Sequence, residues 1–529
     1  MKISASTLAL TTLLTLAAGA ASASADPVWV FLKPRSVESN PALLAQALDQ
    51  QIAQAHPKML ERRAWRRTLP GLVDVRDLPL DAAVVDAITA ISPARTQSRW
   101  LNALSVDATA VQIRQIAALP SVHAVRPVAR ARHCNSQLEC EVATPDAPTD
   151  GGYEARDFYG RSSSQLAQMN LPQLHARGFT GQGVIIGILD TGFNRIHAVF
   201  NNPAHPLSLI AERDFINDDD NTGPQAGDDG GQHTHGTLIL SCIGSYLPDQ
   251  MVGGAYDASF VLCKTEDVTS ETPVEEDYYV EAIEWIESLG GDVTTSSLSY
   301  SDWYGPSSYD GVTATTSVVL NLAAANGVHT CTAAGNSGHD ADPATARLGA
   351  PADALKVLTC GAVDSTGVIA GFSSDGPTFD GRLKPELLAQ GVSTACVNPN
   401  TADTYATASG TSLSTPLLAA AVACLVEAHP DWTVDEMRTA LMQTASDFST
   451  TGQFDPLFIR GYGILNALAA HQSRCAADFN QDGGVDGGDI EAFFTAWEAG
   501  DPAADVNRDG GVDGPDIESF FLVWAAGGC

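Results

Sequence analysis

The segment GQGVIIGILDTGF (residues 181–193) decides the fold of this chain. Its run VIIGIL is continuous, apolar and β-branched, which predicts a strand buried on both faces that ends at Asp190. Similar runs follow at residues 259–263, 292–298, 328–333 and 357–363. Helical patterns lie between or after them, at residues 237–243, 276–289, 318–326 and 414–429. Strands that alternate with helices predict an α/β domain with a mainly parallel sheet covered on both faces.

Four short motifs bring the groups of a nucleophilic serine site into one chain. DTG contains Asp190, HGT contains His235, AAGNSG contains Asn336, and GTSLSTP contains Ser412. A serine hydroxyl becomes a nucleophile when an imidazole takes its proton, and a buried carboxylate orients that imidazole. Ser412 precedes a helical run with Pro416 in its first turn, which leaves the N–H of Ser412 free for an oxyanion. The side-chain amide of Asn336 would be a second oxyanion donor.

Each motif alone has a plainer interpretation. Asp190 would be a turn residue, His235 a surface histidine like its neighbour His233, Ser412 a helix N-cap and Asn336 a residue in a left-handed turn. If all four plainer interpretations held, four unrelated segments would contain the groups of one catalytic mechanism by chance. They would also contain them in the chain order Asp, His, Ser, which is one of the known orders of such triads. We therefore predict acyl transfer through a serine nucleophile, a reaction for which no cofactor is needed.

The first 25 residues predict an export signal. Lys2 precedes a short apolar run at residues 8–18, and small residues at 21–25 predict a cleavage region. The alternative, a membrane anchor, is disfavoured because the run is too short to span a bilayer. No other stretch approaches 20 uninterrupted apolar residues, so we expect no membrane span and a secreted protein, either extracellular or associated with the cell surface.

The charge of the chain is strongly acidic and unevenly distributed. The formal charge is −34, from 63 acidic and 29 basic residues, which argues against nucleic acid as a partner. Residues 26–133 carry 14 basic and 9 acidic residues (net +5), whereas residues 134–529 carry 14 basic and 54 acidic residues (net −40). This asymmetry favours docking of the first segment on the rest of the chain. Strand-like and helical patterns predict a small α+β domain at 26–133, followed by a polar linker at 134–164 with an expected processing site.

Beyond the motifs, the chain resembles the subtilisin-like serine protease family over residues 165–473. The resemblance extends to GQGVIIGILDTGF, AYDASFVLCKTED and FSSDGPTFDGRLKPELLAQG. It implies a three-layer α/β fold and a serine endopeptidase with Asp190, His235 and Ser412 as triad and Asn336 in the oxyanion hole. It also implies a specificity cleft for protein or peptide substrates, formed by Ser297, Leu298, Ser299, Ala333, Ala334, Gly335 and Gly349. Ser299 departs from the family, which usually has glycine there. By its position, segment 26–133 resembles a propeptide that inhibits and chaperones its own enzyme, made as a zymogen.

The tail, residues 475–529, contains a duplication that resembles dockerin-type calcium repeats. DFNQDGGVDGGDIEAFFTAW and DVNRDGGVDGPDIESFFLVW start 27 residues apart. Each helical run after a loop carries aromatic residues, which predict a mini-core in a small all-α, EF-hand-like module. The resemblance implies calcium as cofactor and a cohesin-like protein as a possible partner. The implied ligands are Asp478, Asn480, Asp482, Gly484, Asp486 and Asp489 in the first loop, and Asp505, Asn507, Asp509, Gly511, Asp513 and Asp516 in the second.

The cysteines and the type of reaction each allow more than one interpretation of the sequence. The ten cysteines fit an oxidising compartment, and Cys134–Cys140 and Cys475–Cys529 are candidate disulfides. Cysteines in apolar runs, such as Cys331, Cys360 and Cys424, are at least as well explained as buried thiols. The alternatives to an endopeptidase are an inactive subtilase scaffold that binds through its calcium-dependent tail, and a transferase or peptide ligase on the same fold.

Overall fold

The computed structural model of the chain describes residues 25–128, 158–269, 274–300, 304–473, 476–480, 485–507 and 510–525. The predicted signal peptide up to residue 24 and the predicted linker up to residue 157 lie outside the described residues. The same holds for the cysteines of the two candidate disulfides and for Asp482, Gly484 and Asp509 of the implied calcium ligands.

The N-terminal domain (residues 26–128) combines a small sheet with four helices. Its elements are β1 (Asp26–Leu32), α1 (Pro41–Gln54), α2 (Pro57–Arg66), α3 (Ala82–Thr89), β2 (Ala94–Ser98), β3 (Ala103–Ala108), α4 (Ala110–Ala117) and β4 (Val122–Pro127). The strands pair antiparallel in the order β2-β3-β1-β4. Helix α4 begins with a capping box, in which the Thr109 hydroxyl accepts from Gln112 N while the Gln112 side chain accepts from Thr109 N. This is the predicted α+β domain.

The main domain (residues 158–473) is built on one parallel sheet of seven strands. They are β5 (Ile185–Asp190), β8 (Ser208–Asp214), β11 (Ser259–Lys264), β12 (Val293–Ser296), β13 (His329–Ala333), β14 (Leu358–Val363) and β15 (Leu387–Gln390). Their order is β15-β14-β13-β12-β5-β11-β8, and every pair in it is parallel. The five predicted strands are among them, and the sequence did not indicate β8 or β15.

Helices cover both faces of this sheet, as predicted. They are α5 (Ser163–Ala167), α6 (Leu171–His175), α7 (Thr234–Gly244), α8 (Val274–Ser288), α9 (Thr315–Ala325), α10 (Thr411–Ala428), α11 (Val434–Thr444), α12 (Ser446–Thr451) and α13 (Ala467–Gln472). Helices α7 and α10 share one apolar cluster with the sheet, and α8 and α9 share the other. Among the described residues, only α10 is long and apolar enough to cross a membrane, and 89% of its apolar window is buried inside the protein. Its apolar composition is therefore that of a core helix.

Residues 158–164 pack on the main domain, although the sequence analysis assigned them to the linker. Arg161 N donates to Gln250 O at 2.9 Å, and Gly160 forms a bridge with Met251. The remaining short strands pair antiparallel in twos: β6 (Asn201–Asn202) with β7 (His205–Pro206), β9 (Tyr246–Leu247) with β10 (Met251–Val252), and β16 (Thr394–Val397) with β17 (Tyr405–Ala408). The body of the main domain thus begins about seven residues before the predicted boundary at 165.

The described residues of the tail form the α-helices α14 (Gly487–Ala499) and α15 (Gly514–Ala525), at the predicted places. Phe493 and Phe520 are fully buried, and their rings stack 4.3 Å apart with nearly parallel planes. Phe494, Trp497, Phe521 and Trp524 pack around them. The predicted aromatic mini-core is therefore confirmed.

Cysteines within the described residues are buried thiols. Cys242, Cys263, Cys331, Cys360 and Cys424 form no disulfide, and Cys396 donates its S–H to Ala406 O. Burial raises the pKa of Cys242 and Cys360 to about 12, so these groups stay protonated and unreactive. The interpretation as small buried hydrophobes is confirmed for Cys331, Cys360 and Cys424.

Candidate active site

Three neighbouring strands of the main domain end at the edge where the predicted site residues lie. Asp190 is the last residue of β5, Ser296 the last of β12 and Ala333 the last of β13. These strands are adjacent and parallel, so the segments that follow them lie side by side at the carboxyl edge of the sheet. Ligand sites of open α/β sheets form at this edge.

Asp190 and His235 lie in direct contact. The Nδ1 atom of His235 is 2.8 Å from Oδ1 and 2.9 Å from Oδ2 of Asp190. Asp190 is completely buried, and its Oδ1 also accepts a hydrogen bond from Thr191 N at 2.7 Å. The carboxylate therefore fixes the proton of the imidazole on Nδ1 and leaves Nε2 as the basic nitrogen.

The pKa of His235 is raised by this partner. Burial of the ring acts to lower the pKa, but the Asp190 carboxylate outweighs burial through its charge and its hydrogen bond. His233, two residues earlier, has a different environment, because its Nε2 lies 3.1 Å from Asp228 and burial lowers its pKa. Of the two histidines, His235 is the one oriented by the buried carboxylate.

Gly236 makes the approach of α7 to β5 possible. A Cβ at position 236 would lie 2.3 Å from Gly192 O and 3.1 Å from the Asp190 Cβ. Any side chain there would push the helix away from the strand end. The glycine of the HGT motif thus sets the distance between the imidazole and the carboxylate.

Ser412 lies near the start of α10, which packs against α7, β12, β13 and β14. It is buried, and it is the second residue of the helix, so its N–H has no partner in the preceding turn. Pro416 is the sixth residue of α10, which corrects its predicted place in the first turn. Proline has no N–H for the carbonyl four residues earlier, and the Ser412 carbonyl instead accepts from Ser297 Oγ at 3.1 Å.

Asn336 lies beside Ser412 with its amide nitrogen unused. Its Oδ1 accepts from Thr411 N and Thr411 Oγ1, both at 2.9 Å, which fixes the orientation of the amide. Its Nδ2 is buried and has no hydrogen-bond partner. A Cβ built at Gly410 would lie 3.5 Å from this Nδ2 and 3.6 Å from Ser412 N, so both donors flank the same point. A buried donor without a partner is costly, unless a ligand accepts from it.

Six of the seven predicted specificity residues lie in two neighbouring segments, and the seventh is Gly349. Ser297, Leu298 and Ser299 follow β12, while Ala334 and Gly335 follow β13, and Gly335 N donates to Thr411 Oγ1 at 3.2 Å. A Cβ at Gly349 would overlap the Ser299 hydroxyl, so the serine side chain fills the space next to this glycine. Ser299, which stands where the family usually has glycine, therefore reaches the predicted floor of the cleft.

Three residues that sequence reasoning missed hold the site together. Thr411 orients Asn336, as described above. Gln232 Nε2 donates to Thr191 O at 2.7 Å and to Glu266 O at 2.5 Å, which connects the loops after β5 and β11. Lys264, the last residue of β11 and almost fully buried, pairs with Asp214 at 2.8 Å and Asp228 at 3.1 Å. A lysine that ends an apolar run was the available sequence signal for the last of these.

Of the described calcium-ligand candidates of the tail, Asp486 and Asp489 lie at the start of α14, and Asp513 and Asp516 lie at the start of α15. Asp489 and Asp516 are fully buried and accept equivalent backbone hydrogen bonds, at 3.0 Å from Asn480 N and Asn507 N respectively. Asp505 Oδ1 is buried without a hydrogen-bond partner. In the part of the chain that the structure describes, no three acidic, histidine or cysteine side chains converge as a metal-ligand set.

The N-terminal domain docks on α8 of the main domain. Ser105 Oγ donates to Asp277 at 2.6 Å, Thr96 Oγ1 donates to Glu281 at 2.6 Å, and the Ser98 hydroxyl donates to Glu284. Trp29, Trp100, Ala103 and Val128 belong to the apolar cluster around α8 and α9. The N-terminal domain thus covers a row of acidic side chains on α8, and among its cations Arg95 Nη2 lies 2.9 Å from Asp277.

Comparison with known proteins agrees with this architecture. The sequence profile of the Subtilase family matches residues 181–463, and that of the Peptidase S8 propeptide domain of Bacteroidota matches residues 27–141. Subtilisin E of Bacillus subtilis (strain 168) is 31% identical over 309 residues, which are 58% of this chain and 70% of that protein. Subtilisin of Bacillus pumilus is 30% identical over 58% of this chain and 98% of its own length.

A solved structure supports the fold. The crystal structure of fervidolysin from Fervidobacterium pennivorans, described as a keratinolytic enzyme related to subtilisin, superposes with a TM-score of 0.57 at 20% identity. The match covers 85% of this chain and 61% of the fervidolysin chain. The chain belongs to the subtilase family and is a subtilisin-like serine protease with an N-terminal propeptide domain.

Proposed function

We propose that this protein is a secreted endopeptidase that hydrolyses peptide bonds through Asp190, His235 and Ser412, with Asn336 as oxyanion donor. The observation that carries the proposal is the buried, unpartnered Nδ2 of Asn336 next to Ser412 N, in a site where a buried carboxylate already orients an imidazole. Two N–H donors that flank one point suit an oxygen that becomes negative during the reaction.

These four groups would carry out peptide hydrolysis through an acyl-serine intermediate. Ser412 Oγ attacks the carbonyl carbon of the scissile bond while His235 Nε2 takes the hydroxyl proton. The resulting imidazolium is stabilised by Asp190, and the tetrahedral oxyanion accepts from Ser412 N and Asn336 Nδ2. When the intermediate collapses, His235 gives the proton to the leaving amine. Water activated by His235 then hydrolyses the acyl-serine ester and restores Ser412.

We further propose that the N-terminal domain is removed by self-cleavage between residues 132 and 165 after export. The support is that the two domains already share an interface with buried apolar and charged groups. Substrates are peptide segments that enter the cleft next to Ser299 and Gly349. A transferase or ligase reaction of the same acyl-enzyme would be detected by product analysis with added amines.

The experiment is mass spectrometry of the secreted protein beside its Ser412→Ala variant. We expect the wild-type product to lack residues 1–25 and the propeptide, and the variant to retain the propeptide in one covalent chain. Ser414→Ala is the matched control, because this serine lies two residues later on α10 and its hydroxyl donates to Thr411 O at 2.9 Å. Self-processing in the Ser412→Ala variant, or its loss in both variants, would contradict the proposal.

For the tail, we propose a calcium-binding module held by the two loops of the duplication. Asp505 Oδ1 has no hydrogen-bond partner, and the Asp505 side chain lies within hydrogen-bonding reach of Asp516, an arrangement of carboxylates that favours a bound cation. Asp489 and Asp516 would be the last ligand of each loop. Calcium would supply the charge that holds the loops against α14 and α15, and a cohesin-like partner for this module belongs to the same proposal.

The calcium proposal is tested by thermal unfolding of the full chain, followed by tryptophan fluorescence, with calcium or with a chelator. We expect calcium to raise the melting temperature of the tail transition, and Asp489→Asn with Asp516→Asn to abolish the shift. Glu491→Gln with Glu518→Gln is the control, because these acids are exposed on the same helices. An equal rise of the melting temperature with calcium in the wild type, the double Asp variant and the double Glu variant would contradict the assignment.

A further inference from the structure

One helix of the propeptide domain carries a cluster of buried arginines. Arg62, Arg63 and Arg66 of α2 are 1%, 2% and 3% exposed, although arginine is rarely buried unless it is paired. Their partners belong mostly to the main domain. The cluster therefore reports a specific interface and is not part of a solvated surface.

The partners lie where two helices of the main domain end. Arg62 Nη1 donates to Gly291 O at 2.5 Å, and its Nε donates to Asn326 O at 3.3 Å. Arg67 Nε donates to Asn326 Oδ1 at 2.9 Å. Gly291 follows α8 and Asn326 follows α9. Cations are favourable at helix C-termini, where carbonyl groups lack partners within the helix.

Two buried carboxylates complete this surface. Arg62 and Arg63 both pair with Glu287, and Arg63 also binds Asp77 of its own domain at 2.8 Å. Arg66 Nη2 lies 2.7 Å from Asp292, whose other oxygen is 3.0 Å from Lys58 Nζ. Burial acts to raise the pKa of Asp292, but Arg66 and Lys58 outweigh it and the pKa is lowered. The carboxylate is therefore stabilised as an anion by cations of the propeptide domain.

The main domain leaves room for α2 through two glycines. A Cβ at Gly327 would lie 2.6 Å from the Arg66 Cβ, and a Cβ at Gly290 would lie 2.9 Å from the Lys58 Cβ. Both glycines follow helices, α9 and α8 respectively, and both have positive φ angles. The backbone of α2 thus approaches the ends of these helices more closely than side chains would permit.

This surface lies at the edge of the sheet opposite to the catalytic residues. Asp292 precedes β12, and its Oδ2 accepts from Ile185 N, the first residue of β5. Asp190 is the last residue of the same strand. Six residues of strand separate the two edges by about 20 Å. Contacts of α2 therefore cannot belong to the cleft.

We infer that α2 is an anchor that holds the propeptide domain on the main domain independently of the cleft, at the ends of α8 and α9. The cut propeptide stays bound through this anchor even when its C-terminal end no longer occupies the active site. The anchor surface of the main domain (Glu287, Asp292, the carbonyls of Gly291 and Asn326, and Gly327) binds an arginine-bearing helix, and its ligand is the propeptide of the same chain. Inhibition of the enzyme by the bound propeptide rests on the proposed function, whereas the binding itself does not.

The test uses the full chain with Ser412→Ala, so that its outcome does not depend on catalysis. A recognition site for an unrelated sequence-specific protease is inserted between residues 132 and 165, and the chain is cut there after folding. Gel filtration and dilution then give the dissociation rate of the propeptide domain. We expect the cut propeptide domain to remain bound in the unsubstituted chain. Arg62→Gln with Arg66→Gln should raise its dissociation rate by about 100-fold or more, because each substitution removes the cation of a buried ion pair.

Lys33→Gln with Arg114→Gln is the control, because it removes two exposed cations of the same domain. We expect its dissociation rate to stay within about twofold of the unsubstituted chain. Dissociation of the Arg62 and Arg66 variant at the control rate would overturn the inference, as would immediate loss of the propeptide domain from the unsubstituted cut chain. If the arginine variant does not melt cooperatively before cutting, Lys58→Met carries the test. This partly exposed side chain is expected to give about a 5- to 10-fold faster dissociation, and an unchanged rate again overturns the inference.

Discussion

The hydroxyl of Ser297 donates a hydrogen bond of 3.1 Å to the carbonyl oxygen of Ser412. This contact joins the segment after β12 to the helix that carries the proposed nucleophile. It takes the place of a helical hydrogen bond that Pro416 cannot donate. The proline of the GTSLSTP motif therefore leaves the Ser412 carbonyl without a helical donor, and Ser297, in a wall of the predicted cleft, donates to it.

Ser297→Ala is expected to leave this buried carbonyl without a donor. We predict a loss of about 1–3 kcal/mol in the free energy of unfolding, measured by chemical denaturation of the Ser412→Ala chain. In the Pro416→Ala background a backbone N–H becomes available, so the same Ser297 substitution is expected to cost less. Equal costs in the two backgrounds would show that the proline and the serine do not act on the same carbonyl.

Asn336→Ala is expected to lower kcat by about 10²–10³ and to leave KM nearly unchanged, because the lost donor serves the transition state. The measurement is steady-state hydrolysis of a chromogenic peptide. Ser337→Ala, the exposed neighbour, is the control and should retain full kcat. A large rise in KM with unchanged kcat would instead assign Asn336 to ground-state binding.

The pH profile of kcat/KM reports the imidazole of His235. Because a general base works when neutral and the Asp190 carboxylate raises its pKa, we expect the acidic limb to lie above pH ~6.5. Asp190→Asn removes the carboxylate, so burial of the ring alone acts on the pKa of His235 and lowers it. The acidic limb should therefore move below pH ~6.5, while kcat falls by about 10⁴. Asp218→Asn, an exposed substitution in the loop after β8, should change neither. An acidic limb at the same pH in the wild type and in Asp190→Asn would exclude His235 as the base.

Ser299→Gly is expected to widen the cleft beside Gly349. We predict that kcat/KM for a peptide with an aromatic residue before the scissile bond rises about 10-fold relative to one with alanine. Ser307→Gly, an exposed site after β12, is the control. An unchanged ratio would show that the Ser299 side chain does not limit the size of the bound residue.

Binding of the propeptide domain should weaken as the pH rises. In the docked chain, burial raises the pKa of Asp277 to about 8, with Arg95 opposing it, and raises the pKa of Glu284 to about 7, with Ser98 and Arg99 opposing it. The groups with charge that also face Asp277 are Glu276 and Asp107. Carboxyl groups that hold protons only in the complex favour binding at low pH. Their contribution to the binding free energy is lost as the pH rises from ~4, the ordinary pKa of a carboxyl group, to about 8, the raised pKa of Asp277.

The check is the dissociation rate of the cut propeptide domain from the Ser412→Ala chain between pH 5 and 9. The rate should rise across this range in the unsubstituted chain and vary less when Asp277→Asn and Glu284→Gln are introduced. A dissociation rate that falls with pH would contradict the assigned direction of the two pKa shifts.

Much of the fold was predictable because buried strands and helices leave strong patterns. The runs that became β5, β11 and β14 are rich in apolar residues, those that became β12 and β13 are rich in β-branched threonine, and all five strands were predicted close to their observed bounds. β8 (SLIAERD) lies at an edge of the sheet and is largely exposed, so it has no such pattern. β15 is only four residues long, which is too short for a periodic signal.

The arginine helix shows why other features escaped prediction. The sequence PKMLERRAWR of α2 indicates an exposed, solvated segment, since nothing local tells a buried arginine from a free one. Its burial depends on Glu287 and Asp292, more than 200 residues later. Gln232 was missed for the same reason, since its partners Thr191 and Glu266 are distant in the chain. The order and chemistry of Asp190, His235, Asn336 and Ser412 could be predicted because each stands in a short motif of distinctive composition.

Ser412 is the proposed nucleophile of this protein. The reaction of the processed protein with a fluorophosphonate, followed by mapping of the adduct, tests this role. We expect one phosphonyl group per chain, on Ser412, with the rate of labelling strongly reduced by His235→Ala and unchanged by Ser414→Ala. An adduct on another serine, or no adduct from a folded and processed protein, would contradict the account.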